Sequence, residues 1–241
     1  MEYRDSNQTA GSCISRVDCS EIAYVSKTDK KGWLLVSPNN GGGGESFALP
    51  KYLKVKITSQ KNNRIQFTIL EGRLKGKTAS VTKKGGPYLS NTNLQTKAAK
   101  LTLNLTTKKL SYNGKEIDAF TQEYGEKYSG APLDPIPVGN WKIEIPDAPH
   151  EIGAGYEEFT PYAITWFPIK TKTTQDRYVH VGSLSHGCAT IGINRVPIIM
   201  KGKEFDYEVN KKSFQAWTEV CKYLIKSRLD DKYVGTIEVK K

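Results

Sequence analysis

Two histidines lie close to one cysteine in the last third of the chain. His180 precedes Cys188 by eight positions, and His186 precedes it by two. A thiol is only slightly ionised at neutral pH, so it needs a base or a positive field before it can attack a carbonyl carbon. A neighbouring imidazole supplies such a base. The spacing therefore predicts that Cys188 is a catalytic nucleophile.

The residues around this cysteine suit a nucleophile held on a turn. Residues 177–181 alternate polar and apolar side chains as a strand does, which would hold His180 rigidly. Gly187 allows a sharp turn immediately before Cys188, and nearby backbone N–H groups can face a developing oxyanion. Ser185 or a main-chain carbonyl can orient the imidazole, as the third member of a catalytic triad does.

The same residues allow two other interpretations, a structural one and a metal site. In the first, Cys188 is a small buried core residue and the histidines are structural; the glycines and serines crowded around it argue against this. In the second, His180, His186 and Cys188 bind zinc. Their spacings match none of the common paired-ligand patterns, and a fourth ligand would have to come from a distant segment. The spacing therefore argues against a metal site at these residues.

Composition limits the class of protein. The chain has 241 residues, of which 37% are hydrophobic and 25% charged, as in a globular protein of one large or two small domains. A net charge of +11 favours a polyanionic partner, such as nucleic acid, acidic lipid or a wall polymer. The lysines are scattered through strand-like segments, which favours a solvated basic surface, so we expect no nucleic acid as partner. Because no apolar run is long enough to span a bilayer, we expect no membrane insertion.

The other cysteines and the first residues carry less information. Four cysteines are too few for a disulfide scaffold at this length, and Cys13 and Cys19 either pair locally or stay free. Cys221 is expected in the core, on the apolar face of a helix. The opening residues MEYRDSNQTAGSC contain acids and no apolar stretch, so they do not read as a secretory signal. Either a signal was removed, export does not use one, or the protein is cytosolic.

Alternating apolar residues predict that the chain is mainly β. A helix is predicted from Ser213 to about Ser227, with Ser213 as its N-terminal cap, because its apolar residues recur at steps of three and four. Asn113-Gly114 predicts a tight hairpin turn. The alternation that predicts strands is found at Leu53–Ile57, Ile65–Ile69, Leu101–Leu105, Trp141–Ile145 and Val234–Val239.

A segment rich in turn residues predicts where the chain divides. Residues 85–93 read GGPYLSNTN, whereas the glycines at 41–44 are interpreted as a loop between two strands. We therefore expect a small β-rich module of unknown role over residues 1–93. A second β-rich domain over residues 94–241 would carry both His180 and Cys188.

The sequence around the cysteine resembles the L,D-transpeptidase catalytic domain, also called the YkuD domain. That family has a histidine on a strand, then a loop, then Ser-His-Gly-Cys, and here the pattern reads His180 followed by Ser185-His186-Gly187-Cys188. Residues 100–105 with the later Asn113-Gly114 look like the opening hairpin of the domain. Residues 135–141 look like its Pro-x-Gly segment. The resemblance covers roughly residues 97–241.

The resemblance implies a fold, a reaction and roles for residues. It implies a β-sandwich-like, mainly antiparallel domain with few helices, acting outside the cytoplasm on peptidoglycan stem peptides. Cys188 would attack the bond between the third residue, a diamino acid, and D-alanine, with His180 as general base and His186 supporting the geometry. The thioester would then be resolved by an amine, which forms a crosslink, or by water, which trims the peptide. The family uses no metal and no cofactor.

Some positions depart from the family pattern. The gap between His180 and Ser185 is short, and Ala189 and Thr190 stand where an apolar residue and then Arg or Asn are usual. An arginine there can fork onto a substrate carboxylate, which a threonine cannot do. The residues expected to line the substrate site are Gly182, Ser183, Thr190, Tyr162 and Trp166.

Three further hypotheses remain open at this stage. The short motif and the unfamiliar N-terminal module are compatible with a secretion-system effector that attacks the wall of a neighbouring cell, with an immunity or delivery protein as partner. The lack of a signal pattern in the opening residues suggests this hypothesis. A basic β-rich binding module with a structural Cys-His cluster is a rival from a different class. A general cysteine protease is another, and digestion of casein by the wild type but not by Cys188→Ala would favour it.

Overall fold

The fold was analysed in a computed structural model, which describes residues 21–38, 44–122, 135–173, 176–182, 185–192, 197–200, 203–206 and 211–241. Cys13 and Cys19 lie outside these residues. Residues 39–43 also lie outside them, so that of the predicted glycine loop at 41–44 only Gly44 is described. Among the described residues, no helix has both the length and the apolar character needed to cross a membrane.

The first part of the chain forms one curved sheet of seven strands. Their order across the sheet is β3-β2-β6-β5-β4-β1-β7, and every neighbouring pair is antiparallel. One face buries the apolar residues that alternate along the strands, such as Val55 and Phe67. The strands are β1 (Glu21–Val25), β2 (Trp33–Pro38), β3 (Phe47–Pro50), β4 (Lys54–Lys61), β5 (Arg64–Ile69), β6 (Thr78–Thr82) and β7 (Leu89–Ser90).

The second part closes into a barrel of eight strands. Their order is β10-β14-β13-β12-β11-β17-β8-β9, and β9 pairs with β10 to close the ring. A two-stranded ladder, β15 (Pro197–Met200) with β16 (Lys203–Asp206), lies outside the barrel. The barrel strands are β8 (Ala99–Asn104), β9 (Lys109–Tyr112), β10 (Lys115–Gln122), β11 (Gly139–Glu144), β12 (Phe167–Lys170), β13 (Tyr178–Val181), β14 (His186–Ile191) and β17 (Tyr233–Lys240).

The mainly β class is confirmed, with one α-helix, α1 (Lys211–Lys226), and a 3-10 helix (Glu151–Tyr156) among the described residues. The strands of the second part close into a barrel, whereas the resemblance implied a sandwich-like, mainly antiparallel domain. Two parallel pairs, β13 with β14 and β17 with β8, take part in the ring. Strands from distant parts of the chain are therefore joined in one closed hydrogen-bonded surface, which leaves no free edge among its members.

The predicted strands and hairpin are found where the alternation placed them. Asn113 and Gly114 connect β9 to β10 and have φ angles of 45° and 75°. Both φ values are positive, as a two-residue hairpin turn of this type requires.

The helix is found, but its predicted cap is wrong. α1 begins at Lys211, two residues before Ser213, and the Ser213 hydroxyl instead donates to the carbonyl of Gly192 at 2.6 Å. The apolar stripe is buried as expected, and Trp217 and Cys221 are fully inaccessible to solvent. Ser213 therefore ties the helix to the end of β14 from within its first turn.

The predicted division at residues 93 and 94 lies between β7 and β8, and polar contacts join the two sheets. The Trp33 indole N–H donates to the Thr165 hydroxyl at 3.1 Å in a buried contact. A buried ion pair joins Arg228 Nε to Glu71 Oε2 at 3.0 Å, and the amide of Gln95 donates to the same carboxylate. These contacts hold the sheet against the barrel.

Candidate functional site

The histidine and the cysteine lie on two adjacent parallel strands. β13 pairs with β14 so that His180 is opposite Thr190 and Val179 is opposite Ala189. Because side chains alternate between the two faces of a strand, Cys188 and Thr190 share a face, and it is the face that His180 uses. The register therefore makes His180 and Cys188 diagonal neighbours on one side of the barrel wall.

The imidazole of His180 is fixed at both nitrogens. Its Nδ1 lies 3.0 Å from the carbonyl oxygen of Val181, which can only accept, so Nδ1 carries the proton. Its Nε2 then holds the lone pair and lies 3.0 Å from the hydroxyl of Thr190, which donates to it. A main-chain carbonyl thus orients the base, one of the two orienting groups that the sequence predicted.

An aromatic stack supports His180 from one side. The Trp166 ring stacks on the His180 ring with centroids 4.3 Å apart, and it also stacks on the His150 ring at 4.7 Å. Tyr178 meets both His150 and Trp166 edge-on, and Asp147 lies 3.4 Å from His150 Nε2. The packing leaves His180 5% exposed, so its orientation is set by neighbours rather than by water.

The Cys188 thiol is nearly buried, with 8% of the residue exposed. This burial raises the pKa of the thiol above its ordinary value, while the backbone N–H of Tyr178 and the charge of Arg177 act to lower it. Asp176 acts weakly in the raising direction. The thiol is therefore neutral at pH 7, and attack on a carbonyl requires a base at the moment of reaction.

Ser185 and Gly187 shape the start of β14, just before Cys188. The buried Ser185 hydroxyl lies 2.8 Å from the carbonyl of Thr121 and 3.1 Å from the carbonyl of Cys188, so it ties the start of β14 to β10 rather than orienting the imidazole. Gly187 has a φ of 87°, a conformation that side chains rarely adopt. The pairing of β10 with β14 shifts register at this point, between Phe120 and Gln122.

The residues predicted to bind substrate differ in their distance from His180 and Cys188. Thr190 is fully buried, and its hydroxyl contacts the His180 imidazole. Trp166 stacks on the same imidazole. Gly182 is buried and its N–H donates to the Ile191 carbonyl at 3.3 Å. Tyr162 lies next to Gly32 of the first sheet, and among the described residues no hydrogen bond or ring contact joins it to His180 or Cys188.

Two predicted residues fall partly or wholly outside what is described. Ser183 lies outside the described residues. The backbone of His186 forms the start of β14, opposite Gln122, but its side chain lies outside the description. The supporting role expected of His186 therefore stays a prediction.

Sequence reasoning missed the residues that surround His180. Tyr178 could have been found, because it lies two positions before His180 on the same alternating strand. His150 and Asp147 come from the segment after β11, and no local pattern links them to the site. No group of three or more His, Cys, Asp or Glu side chains that could hold a metal occurs within the described ranges.

Comparison with family models, curated proteins and solved structures finds no match to this chain.

Proposed function

We propose that this protein is a peptidoglycan-modifying cysteine enzyme, an L,D-transpeptidase or L,D-carboxypeptidase that acts on stem tetrapeptides through a Cys188 thioester. The observation that carries the proposal is the placement of His180 and Cys188 on one face of two paired strands, with Ser-His-Gly-Cys at the start of the second strand. A buried thiol that shares a strand face with an oriented imidazole is an arrangement that thiol acyl transfer can use. The substrate lies outside the cytoplasm, and wall maintenance and attack on a neighbouring cell would use the same chemistry.

In the first step, the thiol proton passes to Nε2 of His180 as Sγ attacks the carbonyl carbon of the third stem residue. The Thr190 hydroxyl, which donates to Nε2 at rest, can rotate and accept from the imidazolium afterwards. The tetrahedral oxyanion would be met by backbone N–H groups at Gly187 and Cys188. The C–N bond to D-alanine then breaks, and the leaving amine takes the proton from His180.

In the second step, an amine or a water molecule attacks the thioester carbon, and His180 accepts the proton of the attacking group. The C–S bond breaks, and the Cys188 thiolate takes that proton from His180. An amine of a second stem peptide gives a crosslink, whereas water gives a shortened peptide. The His180 imidazole acts as base and acid in turn, which its single oriented lone pair allows.

A cleft lined in part by Tyr178, whose backbone N–H meets the Cys188 thiol, supports a diamino acid as the substrate residue. It has a volume of about 190 Å³ and lies next to Tyr178. Such a residue brings an amine and a carboxylate, so a wall with both signs of charge suits it. The charged residues that line the cleft are Glu144, Lys170, Asp176 and Arg177.

The proposal is tested by mass spectrometry of purified muropeptides incubated with the protein and with Cys188→Ala. We expect only the wild type to remove or exchange the terminal D-alanine of a tetrapeptide, or to join two diamino acids. Casein serves as a second substrate in the same assay. Unchanged muropeptides together with casein digestion by the wild type alone would replace this proposal with a general cysteine protease.

A further inference from the structure

The positive charge of the chain is concentrated in its first half. Residues 21–93 hold 13 Lys and Arg against 4 Asp and Glu, a net charge of +9. Residues 94–241 hold 21 Lys and Arg against 18 Asp and Glu, a net charge of +3. The basic character that composition reveals therefore belongs mainly to the first sheet and its loops.

Some of these cations are used to bind the barrel. They form ion pairs with carboxylates of the second half, so their charge is neutralised within the molecule. Pairs of this kind at the surface contribute little stability each, but they account for the charges on the side of the sheet that faces the barrel. The pairs are Lys31 with Glu157, Arg73 with Asp147, and Lys75 with Asp231.

A second group of cations has no such partner among the residues that the structure describes. The turn between β4 and β5 meets the loop after β6, where Lys83 N donates to the Asn63 carbonyl at 2.8 Å. The same loop meets the segment after β1, where Lys27 Nζ donates to the Gly85 carbonyl at 2.6 Å. No described carboxylate lies within 4.0 Å of the charged nitrogens of this group. We call this group the basic cluster, and its members are Lys27, Lys61, Arg64, Lys83 and Lys84.

A cleft adjoins the basic cluster. It has a volume of about 430 Å³, and Lys27, Arg64, Thr82 and Tyr88 are among the residues that line it. The one acidic side chain among the described residues of its wall, Asp29, already accepts backbone N–H groups through Oδ1. The cleft therefore presents fixed cations and hydroxyls to a ligand.

Arg64 is held rigidly at the edge of this cleft. Its Nε donates to the Ser80 hydroxyl and its Nη2 to the Ser80 carbonyl, both at 3.0 Å. Ser80 is fully buried, so the guanidinium is anchored to the sheet. An anchored guanidinium loses little freedom when it binds an oxyanion, and it suits the geometry of phosphate.

We propose that the basic cluster and its cleft bind the phosphate groups of a phosphodiester-linked envelope polymer, and so hold the enzyme on its substrate. The choice of an envelope polymer rests on the proposed function. It is also favoured over single-stranded nucleic acid because, among the described residues of the first sheet, the exposed large apolar side chains are Ile22 and Leu35, neither of them aromatic. Single-stranded nucleic acid needs aromatic rings for its bases to stack on. The half-buried ring of Tyr88 is already covered by the ammonium of Lys27.

The test uses the full chain with Cys188→Ala, so that binding is measured apart from catalysis. Cosedimentation is measured with wall sacculi that carry a phosphodiester polymer and with the same sacculi after hydrofluoric acid has removed it. We expect binding to the first and at least about tenfold weaker binding to the second. In that background, Lys61→Gln, Lys83→Gln and Lys84→Gln together should weaken binding to intact sacculi by about tenfold.

The matched control neutralises three other lysines of the same sheet, with Lys54→Gln, Lys56→Gln and Lys77→Gln. Thermal unfolding of both triple variants verifies that each is folded. Equal binding to stripped and intact sacculi would overturn the proposal, and so would an equal loss in the two triple variants. Tighter binding of a duplex or single-stranded oligonucleotide than of poly(glycerol phosphate) would also overturn it, in favour of nucleic acid. None of these outcomes depends on turnover of muropeptides.

Discussion

Replacing His180 by glutamine is expected to lower kcat/KM on tetrapeptide muropeptides by about 10³-fold. Glutamine can still donate to the Val181 carbonyl, where the Nδ1–H of His180 donates at 3.0 Å. It cannot take the thiol proton, because an amide has no basic nitrogen. Since burial raises the pKa of Cys188, the thiol has little thiolate of its own at pH 7, and the loss falls on the attack step.

Alkylation of Cys188 as a function of pH gives this prediction a second readout. A raised pKa means that thiolate accumulates only as the pH climbs towards it, so the deficit of His180→Gln should shrink at alkaline pH. Thr190→Ser, which keeps a hydroxyl for Nε2, serves as the control and should retain most activity. The assignment fails if His180→Gln leaves alkylation at neutral pH intact while His186→Ala abolishes it.

Replacing Arg228 by alanine is expected to lower the free energy of unfolding by about 3–5 kcal/mol. The Arg228 guanidinium donates to the Glu71 carboxylate at 3.0 Å and to the carbonyls of Ile225, Ser227 and Tyr52. The side chains of Arg228 and Glu71 are only 9% and 6% exposed. Without Arg228, a buried carboxylate keeps only neutral donors, so the substitution leaves an uncompensated charge between the sheet and the barrel.

Urea unfolding of the single variants and of the double variant Arg228→Ala with Glu71→Gln measures this coupling. The double variant should be more stable than the sum of the single effects implies, because Glu71→Gln removes the charge that Arg228→Ala exposes. Lys232→Ala, which breaks an exposed pair with Glu144, is the control and should change stability little. A small effect of Arg228→Ala, similar to that of the control, would show that the buried pair does not hold the two halves together.

Local sequence patterns predicted the elements better than their arrangement. The alternation around Val55, Phe67 and Leu103 reports burial on one face, so it located strands without specifying their neighbours. The parallel pairing of β13 with β14 and the closure of the barrel depend on contacts between distant segments, which no local pattern encodes. Side-chain type alone predicts Ser213 as a helix cap, because serine is common at that position. In the structure, the Ser213 hydroxyl instead donates to the Gly192 carbonyl.

The residues of the candidate site also differ in how well the sequence predicts them, according to whether they are close in sequence or meet only on folding. The glycine-type backbone of Gly187 and the orienting carbonyl could be predicted because each depends on residues close in sequence to Cys188 or His180, although Gly187 lies in β14 and not in a turn. The stack of His150 on Trp166 joins segments that the chain brings together only on folding. Tyr162 was expected near the substrate because of its neighbours in sequence, but it packs on the first sheet at Gly32.

The most direct measurement is the intact mass of the protein after brief mixing with a purified disaccharide tetrapeptide and rapid acid quench. If Cys188 forms the proposed thioester, the wild type gains the mass of the disaccharide tripeptide acyl group and releases D-alanine. Hydroxylamine should remove the adduct, and Cys188→Ala should never acquire it. If D-alanine is released with no adduct in the wild type under any quench time, or with equal yield from Cys188→Ala, then Cys188 is not the nucleophile and the account is contradicted.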